Sequence, residues 1–168
     1  MKIVIIGIGQ SMRGDDAAGL EAVRRWREVC LDTASRSEVT IEASGLPGLG
    51  LLDLLSGVDA AVLVDAVHGS APAGTIHRLD PSELSAFESG ASSAHGWGVA
   101  ETLALAEELN LPHRDVTVRI VGIEAGSFGP GQQISPEVEQ ALPAACEAIE
   151  LEVLSLLKAE DERAAHFG

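Results

Sequence analysis

Two aspartate-bearing segments and one histidine-bearing loop are the parts of this chain whose residue types and spacing could do chemistry. Gly7-Ile8-Gly9-Gln10-Ser11-Met12-Arg13-Gly14-Asp15-Asp16 follows an apolar run, Val64-Asp65-Ala66 closes another, and Ser92-Ser93-Ala94-His95-Gly96 opens a helix-like stretch. In a parallel α/β sheet all of these segments meet at the carboxyl edge, where such sheets bind their ligands. Two carboxylates and a neutral imidazole converging there form either an acid/base centre or a donor set for a borderline divalent metal such as nickel, zinc or iron.

Each residue also has a plain structural reading. Asp15 and Asp16 open a helix, where an acid caps free amides and complements the dipole for about 0.3–1 kcal/mol. One aspartate satisfies that need, so the adjacent one is free to face the sheet edge. Asp65 is harder to explain structurally, because a carboxylate closing an apolar strand gains nothing from burial. His95 alone could be a satisfied histidine near a helix start, but its glycine-flanked loop favours a site. His68 lies three residues past Asp65, within reach of the same cleft. His77, His113 and His166 lack comparable settings.

The elements that must position these residues follow from hydrophobic periodicity and turn signals. Strands are predicted at 2–7, 39–43, 60–67, 75–79 and 116–123. Helices are predicted at 15–29, 48–55, 96–109, with Ser93 available as cap, and 135–158, where Ser135-Pro136-Glu137 supplies a cap, a proline and an acid. Asp80-Pro81-Ser82-Glu83 starts a brief helix, and Pro143 should kink or break the last one. Only about seven residues join the strands at 60–67 and 75–79, too few for a parallel crossover, so that pair is expected to be antiparallel. The expected architecture is a single-domain α/β/α sandwich over 1–158, its sheet mostly parallel, with a short polar tail at 159–168 expected to fray.

Composition narrows the function classes. The 168 residues suffice for one core, and 46% hydrophobic with only 3% aromatic content suits strands covered by helices on both faces. A formal net charge of −15 would repel phosphate backbones and anionic lipid headgroups, so neither nucleic acid nor membrane is an expected partner. Arg24, Arg25 and Arg27 cluster, but at the spacing of a solvated helix face. Cys30 and Cys146 fit neither a disulfide framework nor a structural zinc site. The opening apolar run is too short for a signal peptide, and no stretch reaches the roughly 20 apolar residues of a membrane helix. The expectation is a soluble cytoplasmic protein.

A dinucleotide site is a poor fit despite Gly7-x-Gly9 and an acid at Glu42. Met12 stands at the third glycine position, and Asp15 and Asp16 put negative charge where a pyrophosphate would rest. HExxH, GxSxG and a reactive cysteine context are all missing from the sequence. If the chain is a hydrolase, carboxylates or a metal must do the chemistry.

With these segments in view, the chain resembles the hydrogenase maturation proteases, which trim the C-terminal extension of the large subunit of nickel-iron hydrogenases. The resemblance runs through Gly14-Asp15-Asp16, Val64-Asp65-Ala66-Val67, Pro72-Ala73-Gly74-Thr75, Ser93-Ala94-His95-Gly96-Trp97-Gly98 and Val121-Gly122-Ile123-Glu124, in that order. It implies a five-stranded sheet between helices with one antiparallel strand. It also implies that Asp16, Asp65 and His95 are the catalytic, metal-contacting residues. The nickel would be supplied by the precursor, and cadmium or zinc would substitute in the isolated protein. Gln10 stands where the family usually has Asn, and Asp16 is one methylene shorter than the Glu of some members.

The activity expected from the resemblance is endoproteolysis of a nickel-loaded large-subunit precursor. A metallochaperone or checkpoint module that binds that precursor without cutting it is the alternative of a different class. A nucleotide-binding α/β protein is a third reading, and it predicts stabilisation by nucleotide.

Overall fold

Segments rich in Val, Ile, Leu and Ala become strands here, with β-branched residues dominating the first, and amphipathic stretches between them become the covering helices. The computed structural model describes residues 1–45, 48–83, 99–109, 116–127 and 129–166. In chain order it contains β1 (Ile3–Ile8), a 3-10 turn (Gly14–Ala17), α1 (Ala18–Val29), α2 (Leu31–Ala34), β2 (Val39–Ser44), α3 (Leu49–Leu54), β3 (Ala60–Val67), β4 (Ile76–Leu79), α4 (Val99–Glu108), β5 (Thr117–Glu124) and α5 (Pro136–His166). The α/β class is the one expected, and β3 occupies the predicted residues.

The five strands lie in the order β2-β1-β3-β5-β4. β2, β1, β3 and β5 are mutually parallel, and β4 runs antiparallel to β5. β4 therefore has the expected direction, but its neighbour is β5 and not β3. The link at 68–75 crosses the end of β5, a step of roughly 10 Å over two strand spacings. It is fastened there by Gly74 N–H donating to Glu124 O at 2.8 Å and Glu124 N–H donating to Thr75 O at 2.9 Å.

One face of the sheet carries Ile3, Ile5, Val62, Val64, Val121 and Ile123 against α1 and α5. The other carries Val4, Ile6, Ala61, Leu63, Val118 and Ile120 against α3 and α4. Trp26 of α1 is fully buried in the first layer, and its indole N–H donates to Glu150 Oε2 at 2.8 Å. Removing a side chain of that size from a core costs about 3–5 kcal/mol.

Three local details depart from expectation. α2 is an additional short helix between α1 and β2. α5 runs unbroken through Pro143, whose ring is exposed, while Leu142, Ala145, Cys146 and Ile149 hold the opposite side to the sheet. The same helix continues to His166 where a tail was expected from residue 159, since the stretch is rich in Ala and Glu and is joined to the preceding turn by a Lys158–Glu162 pair at 3.9 Å. Its start is as expected, with Ser135 Oγ accepting from Val138 N–H at 3.5 Å.

Candidate active site

The order β2-β1-β3 places successive crossovers on opposite faces, because α1 covers one side of the sheet and α3 the other. The carboxyl ends of β1 and β3 therefore flank a topological switch point, the usual position of a ligand crevice in such sheets. Asp16 follows β1 and Asp65 lies near the end of β3, so both belong to this crevice.

Glycines seat the turn that carries Asp16. A Cβ at Gly19 would collide with the carbonyl oxygens of Ile8 and Val64, so only glycine lets α1 begin directly above adjacent strand ends. Gly9, at φ +140°, turns the chain away from β1 in a conformation that L side chains rarely adopt, and a Cβ there would strike the Asp16 carbonyl.

Asp15 and Asp16 are both buried, and neither caps α1 with its side chain. The expected division into one cap and one free acid is thus corrected. Asp15 is structural: Oδ2 accepts Gly126 N–H at 2.8 Å, Ser127 N–H at 3.0 Å and Ser135 Oγ–H at 2.9 Å, while Oδ1 accepts Ser135 N–H at 2.6 Å. It ties the turn after β1 to the loop between β5 and α5. Asp16 Oδ2 accepts Gln10 N–H at 3.0 Å. That contact uses the backbone of Gln10, so an Asn-to-Gln difference leaves it intact. The Gln10 side chain instead accepts from Arg13 Nη1 at 3.4 Å.

Asp65 is half-buried on the sheet face that α3 and α4 cover. Its neighbours across the sheet are Gly122 of β5 and then His77 of β4, and Val67 pairs with Glu124. Because registered partners share a face, Asp65, His77 and Glu124 all project from the same side. A Cβ at Gly122 would lie 3.0 Å and 3.1 Å from the two methyls of Val67, which fill that space.

Glu124 was not singled out for a role by sequence reasoning, and His77 was set aside. Glu124 is 1% exposed. Its Oε1 accepts Gly69 N–H at 2.5 Å and its Oε2 lies 3.0 Å from His77 Nε2. It thereby holds both β4 and the segment leaving Asp65. The available signal is the phase of β5, in which Val118, Ile120, Gly122 and Glu124 share the buried face, so the acid stands where an apolar residue is the default. His68, just past β3, is exposed. His95 and His113 lie outside the described residues, as does the side chain of His166.

Cys30 and Cys146 are both free and border one apolar cavity between α1 and α5, away from the carboxyl edge. Burial, with the Glu150 carboxylate beside it, pushes the Cys30 thiol up to about 11, and burial raises Cys146 as well. Both shifts disfavour the thiolate that a cysteine nucleophile requires.

Comparison with known proteins accords with this fold. A model of the hydrogenase maturation protease family matches residues 24–152. The chain belongs to this family. It is 29% identical over 153 residues to the hydrogenase expression/formation protein HupD of Thiocapsa roseopersicina, covering 84% of this chain and 66% of HupD. This chain thus spans just under two thirds of HupD's length. The hydrogenase maturation protease HycI from Thermococcus kodakarensis KOD1 superposes with a TM-score of 0.69 at 26% identity, covering 92% of each chain. The hydrogenase maturating endopeptidase HybD from E. coli shares the fold, with a TM-score of 0.74 at 24% identity over 95% of this chain and 94% of HybD. Among the described residues no helix is long and apolar enough to cross a membrane.

Proposed function

We propose that this member of the maturation protease family removes the C-terminal extension of a nickel-iron hydrogenase large-subunit precursor once nickel has been inserted. Asp16, Asp65 and His95 are the residues that contact the nickel in this reading, and the metal arrives with the substrate. The observation that carries it is the pair of carboxylates, Asp16 and Asp65, at the β1/β3 switch point. Two carboxylates and an imidazole suit a borderline divalent ion and leave positions for the precursor's own ligands. Completing that coordination anchors the precursor with its scissile segment beside the crevice, which lowers the entropic cost of reaching the cleavage geometry. The large acidic excess of the chain supports a protein partner over a nucleic acid.

The test is incubation with nickel-loaded and nickel-free precursor, chelator being present in the nickel-free arm, followed by intact mass. Cleavage of the nickel-loaded form alone is expected. Equal rates for the two forms would sink the metal-reading step, and tight binding without a shortened product would make the chain a checkpoint module instead.

A further inference from the structure

Among the described residues three arginines are half-buried, and two of them are paired: Arg25 with Glu21 at 2.7 Å and with Glu139 at 2.5 Å, and Arg119 with Glu152 at 3.7 Å. Arg13 is the third, and among the described residues it pairs with no carboxylate. Its Nε is shielded from solvent without a hydrogen-bond partner, and its Nη1 has the Gln10 amide oxygen at 3.4 Å, longer than a good N–H···O bond. A charged donor left in that state costs the fold free energy that a partner would return. Acids are not in short supply: the chain has 26 Asp and Glu against 11 Lys and Arg, and Asp15 and Asp16 follow Arg13 directly in the same turn.

Those two aspartates are turned to other donors. Asp15 accepts from Gly126, Ser127 and Ser135, and Asp16 Oδ2 accepts Gln10 N–H at 3.0 Å. The backbone around Arg13 is fixed on both sides, by Gly131 N–H donating to Met12 O at 2.7 Å and Gly14 N–H donating to Gln132 O at 3.0 Å. Gln10 then links the guanidinium to the crevice, its amide oxygen meeting Arg13 and its backbone N–H meeting Asp16. One glutamine spans about 5 Å, so these two contacts keep Arg13 Nη1 within about 12 Å of Asp16 Oδ2. That is the reach of about three residues of extended peptide.

We propose that Arg13 is a specificity contact that binds a carboxylate of the precursor, carried on the segment laid across the carboxyl edge beside Asp16. The inference takes its partner from the protease reading above. The main anionic groups of a polypeptide at neutral pH are carboxylates, from Asp, Glu or the chain terminus, and a guanidinium takes any of them through two parallel hydrogen bonds. The net charge of −15 repels an acidic segment at large, so a cation without an internal counterion marks where such a segment is accepted. Fixing the backbone of Arg13 beforehand reduces what binding must order.

The experiment titrates fluorescently labelled nickel-loaded precursor with the full chain and with its Arg13→Met and Arg13→Lys variants. The dissociation constant is read by anisotropy, kcat/KM by intact mass, and Tm by calorimetry. Losing a charge-assisted hydrogen bond is worth about tenfold in affinity, so Arg13→Met should weaken binding and lower kcat/KM by about that factor. Arg13→Lys keeps the charge without the planar fork and should lose less than Arg13→Met. Arg13→Met should match or exceed the wild-type Tm, since it removes an unpartnered donor and no ion pair. Precursor variants with each Asp or Glu near the cleavage point changed to its amide, and one with an amidated C-terminus, identify the source of the carboxylate. The one that meets Arg13 should weaken wild-type binding about tenfold and Arg13→Met binding less than about twofold. A loss smaller than about threefold in Arg13→Met would overturn the proposal, as would a loss of affinity together with Tm. Precursor variants that all change the two affinities by equal factors would overturn it as well. A wild-type chain that binds precursor without cutting it would overturn the protease reading, while the variant affinities would still decide the role of Arg13. Absence of wild-type binding would overturn both.

Discussion

Asp15 and Asp16 are adjacent and both buried, yet their carboxylates serve different parts of the molecule. Asp15 accepts Gly126, Ser127 and Ser135 across the chain, whereas Asp16 Oδ2 accepts the nearby Gln10 N–H. Truncating Asp15 leaves three backbone N–H groups without their acceptor, at about 1–3 kcal/mol each before relaxation. Asp15→Ala should therefore destabilise the fold by about 3 kcal/mol or more, measured by denaturant unfolding. A loss under about 1 kcal/mol would show that the loop between β5 and α5 does not depend on it.

Asp16 and Asp65 should respond in the opposite way. Asp16→Asn and Asp65→Asn preserve side-chain volume and one carbonyl acceptor, so stability should change by less than about 1.5 kcal/mol. Processing of nickel-loaded precursor, followed by intact mass, should fall below detection in both variants. Wild-type processing by Asp65→Asn would move the reactive crevice elsewhere.

The buried strands were readable because they are continuous aliphatic runs, and β3 matched residue for residue. The pairing of β4 with β5 was not, since a short link fixes a strand's direction but not which neighbour it finds in a completed sheet. The residue pattern alone left Asp15 and Asp16 open, and only the family resemblance singled out Asp16; that Asp15 is tied down was not legible, because it depends on which backbone amides return from residues 126–135. The pairing of His77 with Glu124 was missed for the same reason: 47 positions separate them, and only the β4–β5 register brings them together.

That register makes Glu124 a positioning residue for the strand end that carries Asp65. Glu124→Ala removes the acceptor of Gly69 N–H and the partner of His77, and should cost about 2–3 kcal/mol in denaturant unfolding together with a slower processing rate. Glu124→Gln keeps an acceptor oxygen for Gly69 and should lose about 1 kcal/mol. Equal losses for the two variants would assign the effect to side-chain volume and not to the hydrogen bonds.

Away from the crevice, Glu21 links α1 to α5 and gives a prediction with a definite pH dependence. Its carboxylate accepts Arg24 Nη2 at 2.6 Å and Arg25 Nε at 2.7 Å, and Arg25 Nη2 continues to Glu139 Oε1 at 2.5 Å. The hydrogen bond from Arg24 is the largest cause, opposed by burial and reinforced by Arg25, and it holds the Glu21 carboxyl at about 2 against an ordinary 4.5. The folded state therefore keeps the charge to lower pH than the unfolded chain does. As pH falls below 4.5 the unfolded chain takes up a proton that the folded state refuses, and unfolding is favoured. The contribution is complete above the ordinary value and disappears as pH drops toward 2. Because the side chain is 23% exposed and its partners more so, screening limits it to about 1 kcal/mol at pH 7. Glu21→Gln should lower stability by that amount at neutral pH, with the gap to wild type closing across the acid range in unfolding curves. A gap that stays constant down to pH 2 would show that Glu21 acts through packing and not through its charge.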